Sequence, residues 1–272
     1  MEPSGGVVDG LPATTQPTNT RNTRRRAAMS KRHSTPQTSP ITILQWNPNS
    51  IDVGCASRAA LTQYLDVHTP SVVLIQETLL KPKKGFPLVS TFKHKLYRIF
   101  HKPCDSNTGA RGILTAVLHT IPAVEDTSTT LSICETAHEC IDVTITANSK
   151  AIRIVNIYKR HTNNEHFEHK TEAELKLNLE QFLEPEIPTF LAGDFNARHP
   201  LWGGIHNLNT NPTGEQIATF LDDHGEDYTI LNDDSPTFHR PHLQELQSTS
   251  IDLKIVSHHL IHKSGWQLTS LL

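Results

Sequence analysis

Cysteine is scarce in this 272-residue chain, and its four thiols, Cys55, Cys104, Cys134 and Cys140, include no C-x-x-C pair. That spacing argues against a zinc site and against a disulfide framework. Long apolar runs are missing as well. No stretch of about 18 apolar residues occurs, as a membrane-spanning helix needs, and the polar N-terminus holds no apolar segment resembling a secretory leader. The chain therefore reads as soluble and intracellular, with no membrane partner. No internal repeat is visible. Positive charge is in short supply in the body: residues 1–40 hold six Arg or Lys and two acids, net +4, so the remaining 232 residues hold 19 basic and 26 acidic groups, net −7. An acidic body lacks the broad basic footprint of many DNA readers and leaves room only for a local basic strip. The 17 histidines are scattered rather than gathered into a cage; His166 and His169 would share a helix face, as a solvated pair or as ligands.

What is present falls into two parts. Residues 1–39 are rich in Gly, Pro, Ser and Thr and hold Arg24, Arg25, Arg26, Lys31 and Arg32. So polar a segment buries too little apolar surface to order itself. It reads as a disordered basic tail, or more sharply as an arm for nuclear targeting or nucleic-acid contact. From residue 40 to 272 the texture is that of a folded domain. ITILQW (41–46), SVVLIQ (71–76), KLYRIF (95–100), GILTAVL (112–118), IDVTITA (141–147), AIRIVNIY (151–158), IPTFLAG (187–193) and SIDLKIVS (250–257) are short, β-branched and strand-like. Asn148, Ser149 and Lys150 suit a hairpin turn. Three helices are expected: one capped by Ser57 with Leu61, Tyr64 and Leu65 on one face, one opened by Thr171 and running to Leu183, and one with a Thr213–Gln216 capping box closing near Gly225. Many strands with few covering helices predict an α/β fold of two packed sheets.

Acids and amides gather at the ends of these strands. Asn47 and Asn49 follow ITILQW, Glu77 follows VVLIQ, Asn156 and Tyr158 lie in RIVNIY, Asp194 and Asn196 follow TFLAG, and Asp252 interrupts SIDLKIV. Phosphodiester hydrolysis needs charge neutralised on the phosphate, an aligned water and a group to take its proton, and rigid strand ends are platforms for such groups. Each residue also has a plainer reading. Asn47 can start a turn before Pro48, Glu77 can merely end a strand, and Asp194 after Gly193 can be a β-turn. Asp252 is the least ordinary, because a buried acid requires a partner or a metal.

Taken in order, the segments QWNPNSI (45–51), LIQET (74–78), IVNIY (154–158), LAGDFNARHPLWGG (191–204), SPTFHRP (235–241) and STSIDLKIVS (248–257) resemble the endonuclease/exonuclease/phosphatase superfamily. Within it they look most like the endonuclease domain of non-LTR (LINE-type) retrotransposons. The resemblance implies a two-sheet α/β sandwich of the DNase I-like type and a Mg²⁺-dependent phosphodiesterase, with Mn²⁺ as an alternative ion, acting on DNA as a target-nicking endonuclease. It also implies roles. Glu77 would ligate the metal, with Asn47 orienting that carboxylate or touching the ion. Tyr158 would reach the scissile phosphate, unless it only packs across strands. Asp194 would hold or deprotonate the attacking water, Asn196 would bond a phosphate oxygen, and Asp252 would orient a catalytic histidine.

One part of the pattern is not met. The family places that histidine in a Ser-Asp-His motif some two dozen residues beyond the Asp252 strand, and this chain contains no Ser-Asp-His. The expectation is a C-terminally truncated domain without its last strand, with its metal site kept and its activity impaired. A catalytically inactive retrotransposon remnant, or a phosphatase of the same superfamily, are the competing readings, so whether the chain is an active enzyme stays open. His258 and His259 follow Asp252 too closely to stand on an adjacent returning strand.

Overall fold

A computed structural model describes residues 40–82, 91–105, 110–128, 138–160, 171, 175–184, 186–242 and 245–261. The basic tail, Cys134, His166 and His169 lie outside the described residues. Two main sheets form the body. The first has β1 (Ile43–Trp46), β2 (Val72–Ile75), β3 (Tyr97–Lys102) and β4 (Ile113–Leu118) in the order β1-β2-β4-β3. Its β1 and β2 run parallel, joined through helix α1 (Ala56–His68). The second contains β5 (Ala123–Glu125), β6 (His138–Ala147), β7 (Lys150–Lys159), β8 (Thr189–Asp194), β9 (Tyr228–Ile230) and β12 (Asp252–Ser257), ordered β5-β6-β7-β8-β12-β9. A separate hairpin pairs β10 (Phe238–His242) with β11 (Glu245–Thr249).

The unbroken apolar run of β2 follows from its place in this arrangement, because all four of its residues are buried. Val72 and Leu74 pack between the sheets with Val117, Ile141, Val143, Ile154, Tyr158 and Ala192. Val73 and Ile75 point the other way, into a layer with Leu61 and Leu65 of α1. On the far side of the second sheet, Val155, Ile157, Leu191, Leu253 and Ile255 pack under Trp202 and under Ile217 and Phe220 of α2 (Pro212–Asp223). The result is the two-sheet sandwich that the strand pattern predicts. β6 and β7 form the expected hairpin, turned by Asn148 and Ser149 with φ of 52° and 61°, values that suit a two-residue type I′ turn.

The helices depart from expectation where tertiary contacts outrank local signals. Cys55, not Ser57, precedes α1 as its N-cap. The Thr213–Gln216 capping box does not form. Asn211 caps α2 by accepting from the Gly214 N–H, with Pro212 at the first helical position, and Gln216 instead accepts from the Leu177 N–H at 3.1 Å. Of the helix expected from Thr171 to Leu183, Leu175 is helical with its N–H on the Thr171 carbonyl at 3.1 Å, whereas 176–179 are irregular and Glu180–Phe182 form a 3₁₀ turn. Leu177, Leu179 and Phe182 are each buried, which fixes the segment by its anchors rather than by helical period.

Candidate active site

The strand directions bring the six singled-out residues to one end of the sandwich. Tyr158 on β7 is the register partner of Asp194 at the end of parallel β8, and Asp194 is in turn opposite Asp252 at the start of antiparallel β12. From the other sheet, Asn47 leaves the end of β1 and Glu77 the end of β2. Asn47 joins the two sheets: its Nδ2 donates to Glu77 Oε1 at 2.9 Å and to Asp194 Oδ2 at 2.8 Å. Gln45, one turn of the pleat earlier, does the same one layer deeper. Its Nε2 donates to Asp252 Oδ1 at 2.7 Å and to Gln76 Oε1 at 2.9 Å. Gln76 then donates to Asn156 Oδ1 at 2.6 Å, whose own amide reaches the Leu114 carbonyl at 2.9 Å. Asn156 therefore stitches the sheets together below the site rather than belonging to its mouth.

Backbone strain concentrates here. Asn49, Glu77, Leu79 and Asn196 have φ between 47° and 51°, in the left-handed region that costs a non-glycine residue roughly 1–3 kcal/mol. Thr78 N–H bonds the Gly112 carbonyl and Leu79 N–H the Arg111 carbonyl, which hold the turn after Glu77 in place. At Asn196 the backbone N–H donates to Asp194 Oδ1 at 2.9 Å, and its side-chain amide donates to the Lys159 carbonyl at 2.7 Å.

Electrostatics follow from this crowding. Asp194 is buried, and its carboxyl is held well above the usual range by burial first and then by the nearby Asp252 and Glu77 charges; the Asn196 and Asn47 N–H groups oppose that rise. Burial also raises Asp252, against the pull of Lys254, Gln45 and Thr237. The Tyr158 hydroxyl is pushed up by burial and by Glu77 and Asp194, so it stays protonated and able to donate.

Several participants do not stand out in the sequence as Asp194 and Glu77 do. Arg111 donates through Nε to Glu77 Oε2 and through Nη2 to Asn49 Oδ1 at 2.7 Å. Glu139, buried opposite Tyr158, receives the Arg111 and Gly112 N–H groups, each at 2.8 Å. Lys254 is 1% exposed, on the same face of β12 as Asp252, and burial lowers its amine to about 8. Alternation along the SIDLKIV strand puts residues 252 and 254 on one face, which is the signal that marks Lys254. His258 and His259 come after the far end of β12, roughly 20 Å from Asp252 at about 3.3 Å per residue, and do not join the site.

No cluster of three or more His, Cys, Asp or Glu able to hold a metal exists among the described residues. The donors at the site are hard oxygens, however, with Glu77 and the Asn47 amide at one strand-end edge. A Mg²⁺-type ion held by one or two carboxylates, water and substrate oxygens fits that chemistry.

Comparison with known proteins agrees with the geometry. Residues 152–271 match the family model described as endonuclease-reverse transcriptase. No curated protein matches. Among solved structures, the endonuclease domain of TRAS1, a telomere-specific non-LTR retrotransposon, is similar with a TM-score of 0.60 at 19% identity, covering 84% of this chain and 90% of that one. The Xenopus laevis APE2 catalytic domain gives 0.52 at 16% identity, over 81% and 83% of the two chains. The AP endonuclease LMAP from Leishmania major gives 0.50 at 15% identity, over 80% and 79%.

Proposed function

We propose that this chain, whose residues 152–271 match the endonuclease-reverse transcriptase family model and whose fold is similar to that of a retrotransposon endonuclease domain, is a Mg²⁺-dependent DNA endonuclease of weakened activity. The observation that carries the reading is the convergence of Glu77, Asn47, Asp194, Asn196, Tyr158 and Asp252 on one end of the two sheets. The similarity to a retrotransposon endonuclease supports DNA as the substrate.

Glu77, with the Asn47 carbonyl beside it, would hold the cation. Bound there, Mg²⁺ would neutralise charge on the phosphate oxygens. Asp194, whose environment raises its proton affinity, is suited to take the proton of an attacking water. The second N–H of the Asn196 amide and the protonated Tyr158 hydroxyl are donors for phosphate oxygens.

The weakness is proposed at Asp252. Among the described residues, its carboxylate accepts from Gln45 and Thr237, and the cation beside it is Lys254 rather than a histidine. A general acid/base is worth about 10²- to 10⁴-fold in rate. That same observation favours a second reading, a nucleic-acid-binding remnant with no activity. Nicking of supercoiled plasmid in Mg²⁺, with and without added imidazole as a diffusible proton carrier, separates them. The first reading expects slow nicking that imidazole accelerates and Asp194→Ala abolishes; protein that binds plasmid yet leaves it supercoiled under both conditions supports the second.

A further inference from the structure

Four hydrogen bonds close a ring over the Glu77 carboxylate. Asn47 Nδ2 donates to Glu77 Oε1 at 2.9 Å, Arg111 Nε donates to Glu77 Oε2, Arg111 Nη2 donates to Asn49 Oδ1 at 2.7 Å, and the Asn49 N–H donates back to Asn47 Oδ1 at 3.0 Å. Each side-chain oxygen that Glu77 and Asn47 would offer a cation thus already has an internal donor, and one of those donors is itself a cation.

The guanidinium is delivered by a backbone that cannot drift. The Arg111 and Gly112 N–H groups grip the buried Glu139 carboxylate, and their carbonyls accept from Leu79 and Thr78. Gly112 has φ +85°, and a Cβ there would lie 2.5 Å from Thr78 Oγ1, so the turn requires glycine. The side chain is another matter. Arg111 is 42% exposed against 15% for Glu77, so the guanidinium has open solvent to rotate into while its backbone stays put.

We propose that Arg111 is the resident counter-cation of Glu77: it holds the carboxylate while no metal is bound, and it must swing out for a divalent cation to take the site. The proposal rests on the metal role of Glu77 given above and deepens it. Two positive groups cannot share one carboxylate edge without repulsion, so the measured cation affinity is the difference between the affinities of Glu77 for the ion and for the guanidinium.

Calorimetric titration of the full chain with Mn²⁺ tests this, because it reads binding rather than turnover. Arg111→Gln is expected to bind Mn²⁺ roughly tenfold more tightly than the unaltered chain, whereas Arg111→Lys, which keeps the charge, stays close to it. Asn49→Ala, which frees one end of the guanidinium without touching Glu77, is expected to tighten binding to a smaller degree and guards against misfolding of the Gln variant. In chelator, Arg111→Gln should melt below the unaltered chain, and added Mg²⁺ should close that gap. Equal or weaker Mn²⁺ binding by both Arg111→Gln and Asn49→Ala overturns the proposal; if Glu77→Gln still abolishes binding in that case, the metal role of Glu77 survives. Mn²⁺ binding that is indifferent to Glu77→Gln, or absent from every variant, removes the metal role and this inference with it.

Discussion

Asp194 is costly to the fold, and the proposed function gives that cost a use. Its folded pKa is raised, so between the ordinary aspartate pKa of about 3.9 and the raised value the folded state holds a proton that the unfolded state has lost. The sign is therefore that stability from this group is present below its unfolded pKa and is lost as pH rises through the folded one. Asp194→Asn removes that titration. It is expected to melt above the unaltered chain at pH 8, with the advantage shrinking towards pH 4, while nicking is lost; a gain of about 1 kcal/mol corresponds to roughly 2–4 °C in a domain of this size. Melting curves across that pH range check it, and a variant less stable at pH 8 than at pH 4 relative to the unaltered chain contradicts the assignment. Asp194, Asn196, Glu77 and Asn47 were legible in sequence because they sit in distinctive wording at strand ends. Arg111, Glu139 and Gln45 were not, since each contributes only through partners at least 27 residues away.

At the scale of elements, the pairing of β7 with β8 beside Asp194 requires a glycine. Gly193 pairs with Ile157, has φ +152°, and a Cβ there would overlap the Ile157 carbonyl. Gly193→Ala is expected to push the strands apart, displace Asp194 from Asn47, and either prevent folding or lower the melting temperature sharply; soluble protein with unchanged melting and activity would show that the pairing has slack. Across the β6–β7 hairpin, buried Arg153 donates through Nη2 and Nε to Asp142 Oδ2 at 2.5 and 2.9 Å. Asp142→Ala strands a buried guanidinium and is expected to cost about 3–5 kcal/mol in denaturant unfolding, whereas an effect below about 1 kcal/mol would mean that water or Glu184 replaces the carboxylate. The strands were readable because their β-branched runs are stiff and short. The segment ending at Leu183 was misread because its buried positions, Leu177, Leu179 and Phe182, answer to Gln216 and Arg153 across the fold rather than to a helical face.

For the whole molecule, charge and chemistry pull apart. Under the proposed function an acidic body of net −7 must approach a polyanion, and the +4 of residues 1–40 offsets only part of that. Removing residues 1–39 is expected to weaken DNA binding and to reduce the dependence of log K on log salt by up to about 3–4, at roughly 0.9 per phosphate neutralised. Anisotropy titrations at several salt concentrations measure the slope, and an unchanged slope would exclude the tail from the interface. Fold class was readable at this scale from strand number and helix scarcity, but whether the assembled site performs hydrolysis is a question of rate. The most direct measurement is conversion of supercoiled plasmid to its nicked form in Mg²⁺ by the unaltered chain, Glu77→Gln and Asp194→Ala, with chelator as control. Slow nicking by the unaltered chain that disappears in chelator and in both variants is expected; nicking that persists in either variant, or its absence from the unaltered chain at every protein concentration, contradicts the proposed function.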